Sequence, residues 1–284
     1  MSPIQSAFPG IQIGSVNISY FGLLVVVALS ASGLALRRLA PRLEDSTDII
    51  VDIIVMSFLS AVIFGRLAYV LAPPPSVEVF YSREWYLSHF SDLLVGPLAI
   101  WSGGLDAGGL LLGALVGSRL VIWRRQLPYE EWASAVSVSM TIFLAVAPLA
   151  NLVNSQQMGP ATTLPWGLPI EHRFAPIDDL ALYPTDTHFH PTPAYVSLWA
   201  IAVLLLLPRM TTWFGKNRDH KSLYLMRGML LLPGLFAADF LRLDASRPLL
   251  GMTVLQCVTT VLWVILVIQA TAKRQFTRSA VLNN

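Results

Sequence analysis

Seven long apolar runs constrain the fold of this chain more than any other feature of its sequence. They lie near residues 18–36, 49–71, 98–118, 132–153, 194–208, 224–241 and 249–271. About 20 apolar residues as a helix cross the hydrocarbon core of a bilayer, and uninterrupted runs favour helices over the strands of a barrel. Only 13% of the 284 residues are charged, against about 25% in a soluble chain. We therefore predict an all-α, polytopic membrane protein with seven transmembrane helices, in one domain over residues 1–284.

The placement of basic residues predicts the orientation of these helices. Fourteen Lys and Arg residues follow the first, third, fifth and seventh runs, and four lie in the connections on the other side. The positive-inside rule then places the N-terminus outside and the C-terminus in the cytoplasm. The opening MSPIQSAFPG has no basic n-region and no cleavage site, so we expect no secretory signal peptide. The longest connection, at about 154–193, is predicted to form an ordered periplasmic cap.

Polar residues inside the apolar runs are candidates for function. Arg66 is either a snorkelling arginine near the outer interface or a cation held for a lipid phosphate. Asp106, among glycines, is either a structural carboxylate bonded to backbone N–H groups or a catalytic one. Asp239 and Arg242 are three residues apart, and we expect them to pair on one helical face.

Two asparagines close the fourth run, in APLANLVNSQQMG. Asn151 and Asn154 are three positions apart, which places both amides on one face of a helix. Buried amides in hydrocarbon are costly unless they are hydrogen-bonded. We therefore expect these two side chains to face a polar cavity.

A metal site is the weaker interpretation of Asp186, His188 and His190 in DTHFHP, because no other His or Cys cluster supports it. We predict no metal and no cofactor. Cys257 lies alone in the seventh run and is interpreted as a small apolar filler.

Several segments, in order, resemble the bacterial prolipoprotein diacylglyceryl transferases. They are SYFGLL at 19–24, GRLAYVL at 65–71, IWSGGLDAGGLLLG at 100–113, APLANLVNSQQMG at 147–159, LPWG at 164–167, HPTPAY at 190–195, DFLRLD at 239–244 and GMTVLQ at 251–256. The resemblance implies a multi-pass protein of the bacterial cytoplasmic (inner) membrane that moves diacylglycerol from phosphatidylglycerol to a lipobox cysteine, with glycerol phosphate leaving. It implies phosphatidylglycerol or another anionic phospholipid, and prolipoprotein signal peptides, as partners; no nucleic-acid partner is expected.

The resemblance also implies a set of lipid-headgroup residues. They are Asn151, Asn154, Gly159, Arg66, His190, Tyr195, Asp239 and Arg242. The catalytic residues stay unknown, and the candidates for the base and charge roles in an active protein are His190, Arg66 and Arg242.

Several functional positions of the family carry different residues in this chain. The two arginines expected around the departing phosphate fall on Pro148 and near Leu235, and neither residue can supply a guanidinium fork. The other departures are Gln156 and Val196 at glutamate positions, Asp239 for a further glutamate, Phe21 for a tyrosine, and Asp106 with Ala107 where a histidine is expected.

Three hypotheses follow. The first is a divergent transferase in which Arg66, His190 or Arg242 takes over the missing roles. The second is a catalytically degenerate relative that binds phospholipid, a lipoprotein or a membrane partner without turnover. The third is a transporter or channel, which the sequence supports least, because no paired discontinuous helices are evident. Whether the protein is an active enzyme stays open at this point.

Overall fold

The computed structural model describes residues 9–14, 16–41, 46–78, 80–100, 103–170, 183–213 and 219–282. Its elements are β1 (Gly10–Ile13), β2 (Val16–Ser19), α1 (Tyr20–Leu39), α2 (Ser46–Leu71), α3 (Pro75–Glu78), α4 (Arg83–Ser88), α5 (Ala107–Arg124), α6 (Tyr129–Val146), α7 (Pro148–Val153), β3 (Leu168–Pro169), β4 (His188–Phe189), α8 (Thr192–Trp213), α9 (His220–Asp239) and α10 (Val254–Leu282). The protein is therefore mostly helical, as predicted.

Six stretches of helix in the described residues are long and apolar enough to cross a membrane. They are Tyr20–Leu39, Ser46–Leu71, Ala107–Arg124, Tyr129–Val153, Thr192–Arg209 and Val254–Thr271. The predicted sixth run forms α9, which is not among them because Lys221, Arg227 and Asp239 lower its mean hydropathy. The described residues thus contain six candidate membrane-crossing helices, and α9 as a seventh remains a prediction.

Two of the predicted helices have different boundaries in the structure. The run placed at 98–118 becomes α5 at Ala107–Arg124, because Gly103 and Gly104 adopt left-handed φ angles of 85° and 81° and Asp106 caps the helix. The run placed at 132–153 is divided into α6 and α7 at Pro148, which occupies the first turn of α7.

A stripe of glycines brings α5 into direct contact with α2. Gly109, Gly113 and Gly117 are spaced by four residues, so they share one face of α5. A Cβ on any of them would collide with the backbone of α2. Small residues at such an interface let two membrane helices pack backbone to backbone.

Two apolar cores hold the other helices together. The first lies among α1, α2, α5 and α6 and includes Leu36, Ile53, Val121 and Trp132. The second lies among α6, α8 and α9. The helices bury only part of their apolar surface in these cores, as expected where lipid covers the remainder.

Two small antiparallel sheets stand outside the helices. β1 pairs with β2 directly before α1, and β3 pairs with β4 within the predicted cap at 154–193. Residues 171–182 of that cap lie outside the described residues, so the cap as a unit stays a prediction.

Candidate functional site

An ion-pair cluster lies where α9 ends and the chain turns toward α10. Asp239 is only 1% exposed, and one of its oxygens lies 3.1 Å from Nη1 of Arg242. Nε of the same arginine donates to Asp244 at 3.0 Å. The predicted pairing of Asp239 with Arg242 is therefore confirmed, with Asp244 as an added partner. Removing one member of such a buried pair is strongly destabilising, because the other charge is left uncompensated.

The first turn of α10 completes the shell around Asp239. The hydroxyl of Thr253 donates to the second oxygen of Asp239. Thr253 also forms a capping box with Gln256: its backbone N–H donates to the Gln256 side chain at 3.0 Å, and its oxygen accepts from the Gln256 N–H at 3.0 Å. The start of α10 is thus fixed to the end of α9.

The segment after α7 closes the cluster from the opposite side. The backbone N–H of Gln157 donates to Asp244 at 3.3 Å, and its side-chain oxygen accepts from the amide of Asn151 at 3.1 Å. Ser155 and Gln157 adopt left-handed φ angles of 50° and 58°. Such angles are uncommon for residues other than glycine and concentrate at functional sites.

The two asparagines have different surroundings. Asn151 is half-buried and bonded to Gln157, whereas Asn154 is 5% exposed and its side-chain oxygen has no hydrogen-bond partner in the described residues. A buried acceptor without a partner costs about 1–3 kcal/mol. Asn154 is therefore the residue of this pair with capacity to accept a bond from a bound molecule.

His190 lies beside this segment and pairs with an aromatic hydroxyl. Its Nδ1 lies 2.8 Å from the hydroxyl of Tyr195, which also accepts from the indole of Trp166 at 2.9 Å. Because the indole can only donate, the tyrosine proton is available to His190. This arrangement favours the neutral tautomer of His190 with its proton on Nε2.

Gly159 connects His190 to the ion-pair cluster. Its N–H donates to the His190 carbonyl at 2.9 Å, and the neighbouring Met158 carbonyl accepts from Leu243 at 3.1 Å. A Cβ at position 159 would come within 2.9 Å of both His190 Cβ and Thr192 Oγ1. This close approach requires glycine at position 159. Residues 158 and 159 thus bond to the chain at His190 and to the chain next to Arg242.

Arg66 is buried, but its hydrogen bonds go to the backbone. Its guanidinium donates to the carbonyls of Gly96 at 2.8 Å, Pro97 at 2.9 Å and Gly104 at 3.2 Å, and also to Gly103. It stands 5.5 Å from the ring centre of Tyr69 as well. In the structure, Arg66 fastens the segment before α5 to the end of α2.

Asp106 acts as the cap of α5. Its carboxylate accepts from the N–H groups of Gly108 at 2.8 Å and Gly109 at 3.0 Å, which is the structural alternative for this residue. Its own N–H donates to the Gly65 carbonyl at 3.0 Å. Arg66 and Asp106 thus stabilise the same junction.

The two positions at which arginines are expected are buried and carry apolar residues. Leu235 is 3% exposed and packs in the second core with Ala200 and Val203. Pro148 is buried in the first turn of α7. Neither the Pro148 nor the Leu235 side chain can donate a hydrogen bond to a phosphate.

The structure links most of the predicted headgroup residues in one patch. Asn151, Gly159, His190, Tyr195, Asp239 and Arg242 are joined by the contacts of residues 157–159, whereas Arg66 bonds to four carbonyls in the segment before α5. Sequence reasoning missed Thr253, Gln157 and Asp244. The T-x-x-Q spacing of Thr253 and Gln256 before an apolar run is a capping-box signature, so the role of Thr253 as a helix cap could have been predicted from the sequence.

The site and fold define a multi-pass helical membrane protein with a buried, charged patch at one end of its bundle. The profile of the prolipoprotein diacylglyceryl transferases matches residues 10–271. The chain is 33% identical to the phosphatidylglycerol–prolipoprotein diacylglyceryl transferase of Synechococcus elongatus over 233 residues, which cover 80% of this chain and 72% of that protein. It is 28% identical to the Gloeobacter violaceus protein of the same name, with 86% of each chain covered.

A protein named phosphatidylglycerol–prolipoprotein diacylglyceryl transferase 2 from Streptomyces coelicolor is 27% identical, with 85% of this chain and 71% of that protein covered. The chain belongs to the prolipoprotein diacylglyceryl transferase family. The resemblance seen in the sequence motifs is therefore confirmed.

Proposed function

We propose that this protein works in lipoprotein biogenesis in the bacterial inner membrane, where it binds phosphatidylglycerol and a lipobox precursor and transfers diacylglyceryl slowly or not at all. The observation that carries this proposal is the burial of Pro148 and of Leu235, the latter in an apolar core. These are the positions at which the resemblance places the two arginines for the departing phosphate.

The reaction makes large demands on positive charge. The thiol sulfur of the precursor forms a bond to the glyceryl carbon, the bond from that carbon to the phosphate oxygen breaks, and glycerol phosphate leaves with the electron pair. The thiol proton passes to a base or to the departing phosphate. Removing one transition-state donor of comparable importance costs roughly 10²–10³ in rate.

The arginines that remain near the site already have partners. Arg242 lies between two carboxylates, and Arg66 bonds to four backbone carbonyls. A phosphate approaching Arg242 would also meet the charges of Asp239 and Asp244. Slow transfer follows, because neither arginine can turn to the phosphate without leaving buried groups unpaired.

Binding is better supported than turnover. The half-buried Asn151 lies in one patch with His190 and Tyr195, and the side-chain oxygen of Asn154, three residues further along the chain, has no hydrogen-bond partner among the described residues. A glycerol headgroup presents hydroxyls that can donate to such an amide oxygen. We include α9 as the seventh span, with the N-terminus outside, because this orientation places the patch on the outer side, where precursors emerge.

The second candidate is a working transferase with His190 as the base. The observation behind it is the Tyr195 hydroxyl 2.8 Å from Nδ1, which would have to relay the thiol proton to that nitrogen because Nε2 already carries one. A thiol of pKa about 8.5 is only a few per cent ionised at pH 7, so a base that removes the thiol proton would increase the rate of transfer.

An assay with purified protein separates binding from transfer. The purified protein and the Synechococcus elongatus relative are given phosphatidylglycerol and a lipobox peptide, and lipid binding and peptide lipidation are measured separately. We expect both proteins to bind the lipid, and this protein to transfer at least about 100-fold more slowly. Equal transfer rates would contradict the proposal and favour His190 as a working base. A His190→Gln variant would then lose that activity.

A further inference from the structure

Arg227 is a buried cation in α9 that the candidate site does not use. It is 9% exposed and lies seven residues after the first residue of the helix, about 10 Å along its axis. Asp239 is twelve residues further on, so roughly 18 Å separate this arginine from the ion-pair cluster. A charged side chain inside a membrane helix is costly, and its partner has to be identified.

The hydrogen bonds of Arg227 are made to neutral groups on α6. Its Nη1 donates to the hydroxyl of Ser137 at 2.6 Å and, at 3.4 Å, to the carbonyl of Ser134. Its Nε is buried and has no hydrogen-bond partner, and no carboxylate in the described part of the chain forms an ion pair with it. The positive charge is therefore uncompensated, and one donor is unused.

Two further cations lie at the same end of the bundle. Lys221, two turns before Arg227, lies 3.4 Å from Glu130. Arg119 of α5 stands 4.2 Å from the ring centre of Tyr129, which packs edge-on against Tyr224. We call Arg119, Lys221 and Arg227 the basic cluster. Among the contacts of these three cations with described residues, Glu130 alone supplies a negative charge.

We propose that the basic cluster is a headgroup site for an anionic phospholipid, whose phosphate accepts bonds from Arg227 between α6 and α9. A guanidinium with a free N–H is suited to phosphate, and Lys221 adds charge at the mouth of the site. Basic pockets between membrane helices recognise anionic headgroups in this way. With the orientation predicted from the basic residues, the lipid belongs to the cytoplasmic leaflet.

A purely structural role for Arg227 predicts a different outcome. If the arginine only ties α9 to α6, replacing it with leucine removes the tie and destabilises the lipid-free protein. If Arg227 instead serves to bind a lipid phosphate, replacing it with leucine removes an uncompensated charge from the membrane interior. The lipid-free protein is then as stable as before or more stable, which is the usual trade between stability and function.

The test compares Arg227→Leu with Arg124→Leu, which removes the same charge from an exposed arginine in the last turn of α5. The purified full chain is freed of lipid and titrated with phosphatidylglycerol, phosphatidylcholine or inorganic phosphate. Melting temperature and the number of bound lipids, from native mass spectrometry, are recorded. The proposal predicts that Arg227→Leu weakens phosphatidylglycerol binding roughly five- to tenfold without lowering the lipid-free melting temperature. Arg124→Leu is expected to bind as the wild type does.

Two results would overturn the proposal. One is a lower lipid-free melting temperature, or failure to fold, in Arg227→Leu together with unchanged phosphatidylglycerol binding in Arg227→Gln, which loses the charge but can still donate to Ser137. The other is equal protection by inorganic phosphate and by phosphatidylglycerol, which would assign the site to a free anion. Neither Arg227 nor Arg124 belongs to the candidate functional site, so the lipid binding and the transfer activity of that site are measured separately.

Discussion

Arg66, which is buried, and Arg242, whose side chain is largely buried, both lie in junctions between helices, yet their partners differ in kind. Arg66 donates to four backbone carbonyls in the segment before α5 and to no carboxylate among the described residues, whereas Arg242 lies between Asp239 and Asp244. The first arginine orders a loop, and the second neutralises a pair of carboxylates. A basic residue that is retained within a family motif is therefore not necessarily free to bind a substrate phosphate.

The largest effect is expected at Arg242. Changing Arg242→Met leaves two buried carboxylates without their cation, which should cost about 3–5 kcal/mol of unfolding free energy. Reversible unfolding in mixed micelles measures this loss. The matched control is Arg247→Met, which changes an exposed arginine five residues further on and should cost less than about 1 kcal/mol.

A double variant sharpens the same comparison. Asp239→Asn added to Arg242→Met removes one of the stranded charges, so we expect it to recover part of the lost stability and the two effects to be non-additive. Strict additivity would show that the pair is not coupled and would break the contrast with Arg66, which has no carboxylate partner among the described residues.

The next largest effect is expected at Arg66. Arg66→Met leaves four carbonyls in the segment before α5 without their common donor, at a cost of roughly 2–4 kcal/mol. Arg66→Lys should recover less than half of that loss because an ammonium lacks the planar fork. Limited proteolysis reports the loosening of that segment directly. A stable Arg66→Met protein that has lost lipid binding would show instead that Arg66 serves the headgroup.

The smallest effect is expected at Thr253. Thr253→Val keeps the shape of the side chain but removes the hydroxyl that bonds Asp239 and caps α10, which should cost about 1–2 kcal/mol. The same unfolding assay measures it, and Thr259→Val, which changes another buried threonine of α10, is the control. An equal loss in both variants would mean that the bond to Asp239 contributes nothing of its own.

The sequence predicts the helices of this protein better than its site. Long apolar runs determine where helices form, and the spacing of Asp239 and Arg242 is sufficient to predict that they pair. The start of α5 was predicted nine residues too early, because left-handed angles at Gly103 and Gly104 break the run. The role of Arg66 could not be predicted, since its partners are backbone carbonyls and carry no signature in the sequence. The bond from Gln157 to Asp244 joins segments 87 residues apart and is likewise invisible to local patterns.

The most direct test of the account is complementation by the wild-type chain. A bacterial strain depleted of its own diacylglyceryl transferase receives this protein at ordinary expression, and lipid attachment to a reporter lipoprotein is measured. With Pro148 and Leu235 buried where phosphate-binding arginines are expected, we predict little or no lipidated reporter, although the protein is present in the membrane. Full lipidation and normal growth would contradict the account and would show that Arg66, Arg242 or His190 supports the reaction from its present position.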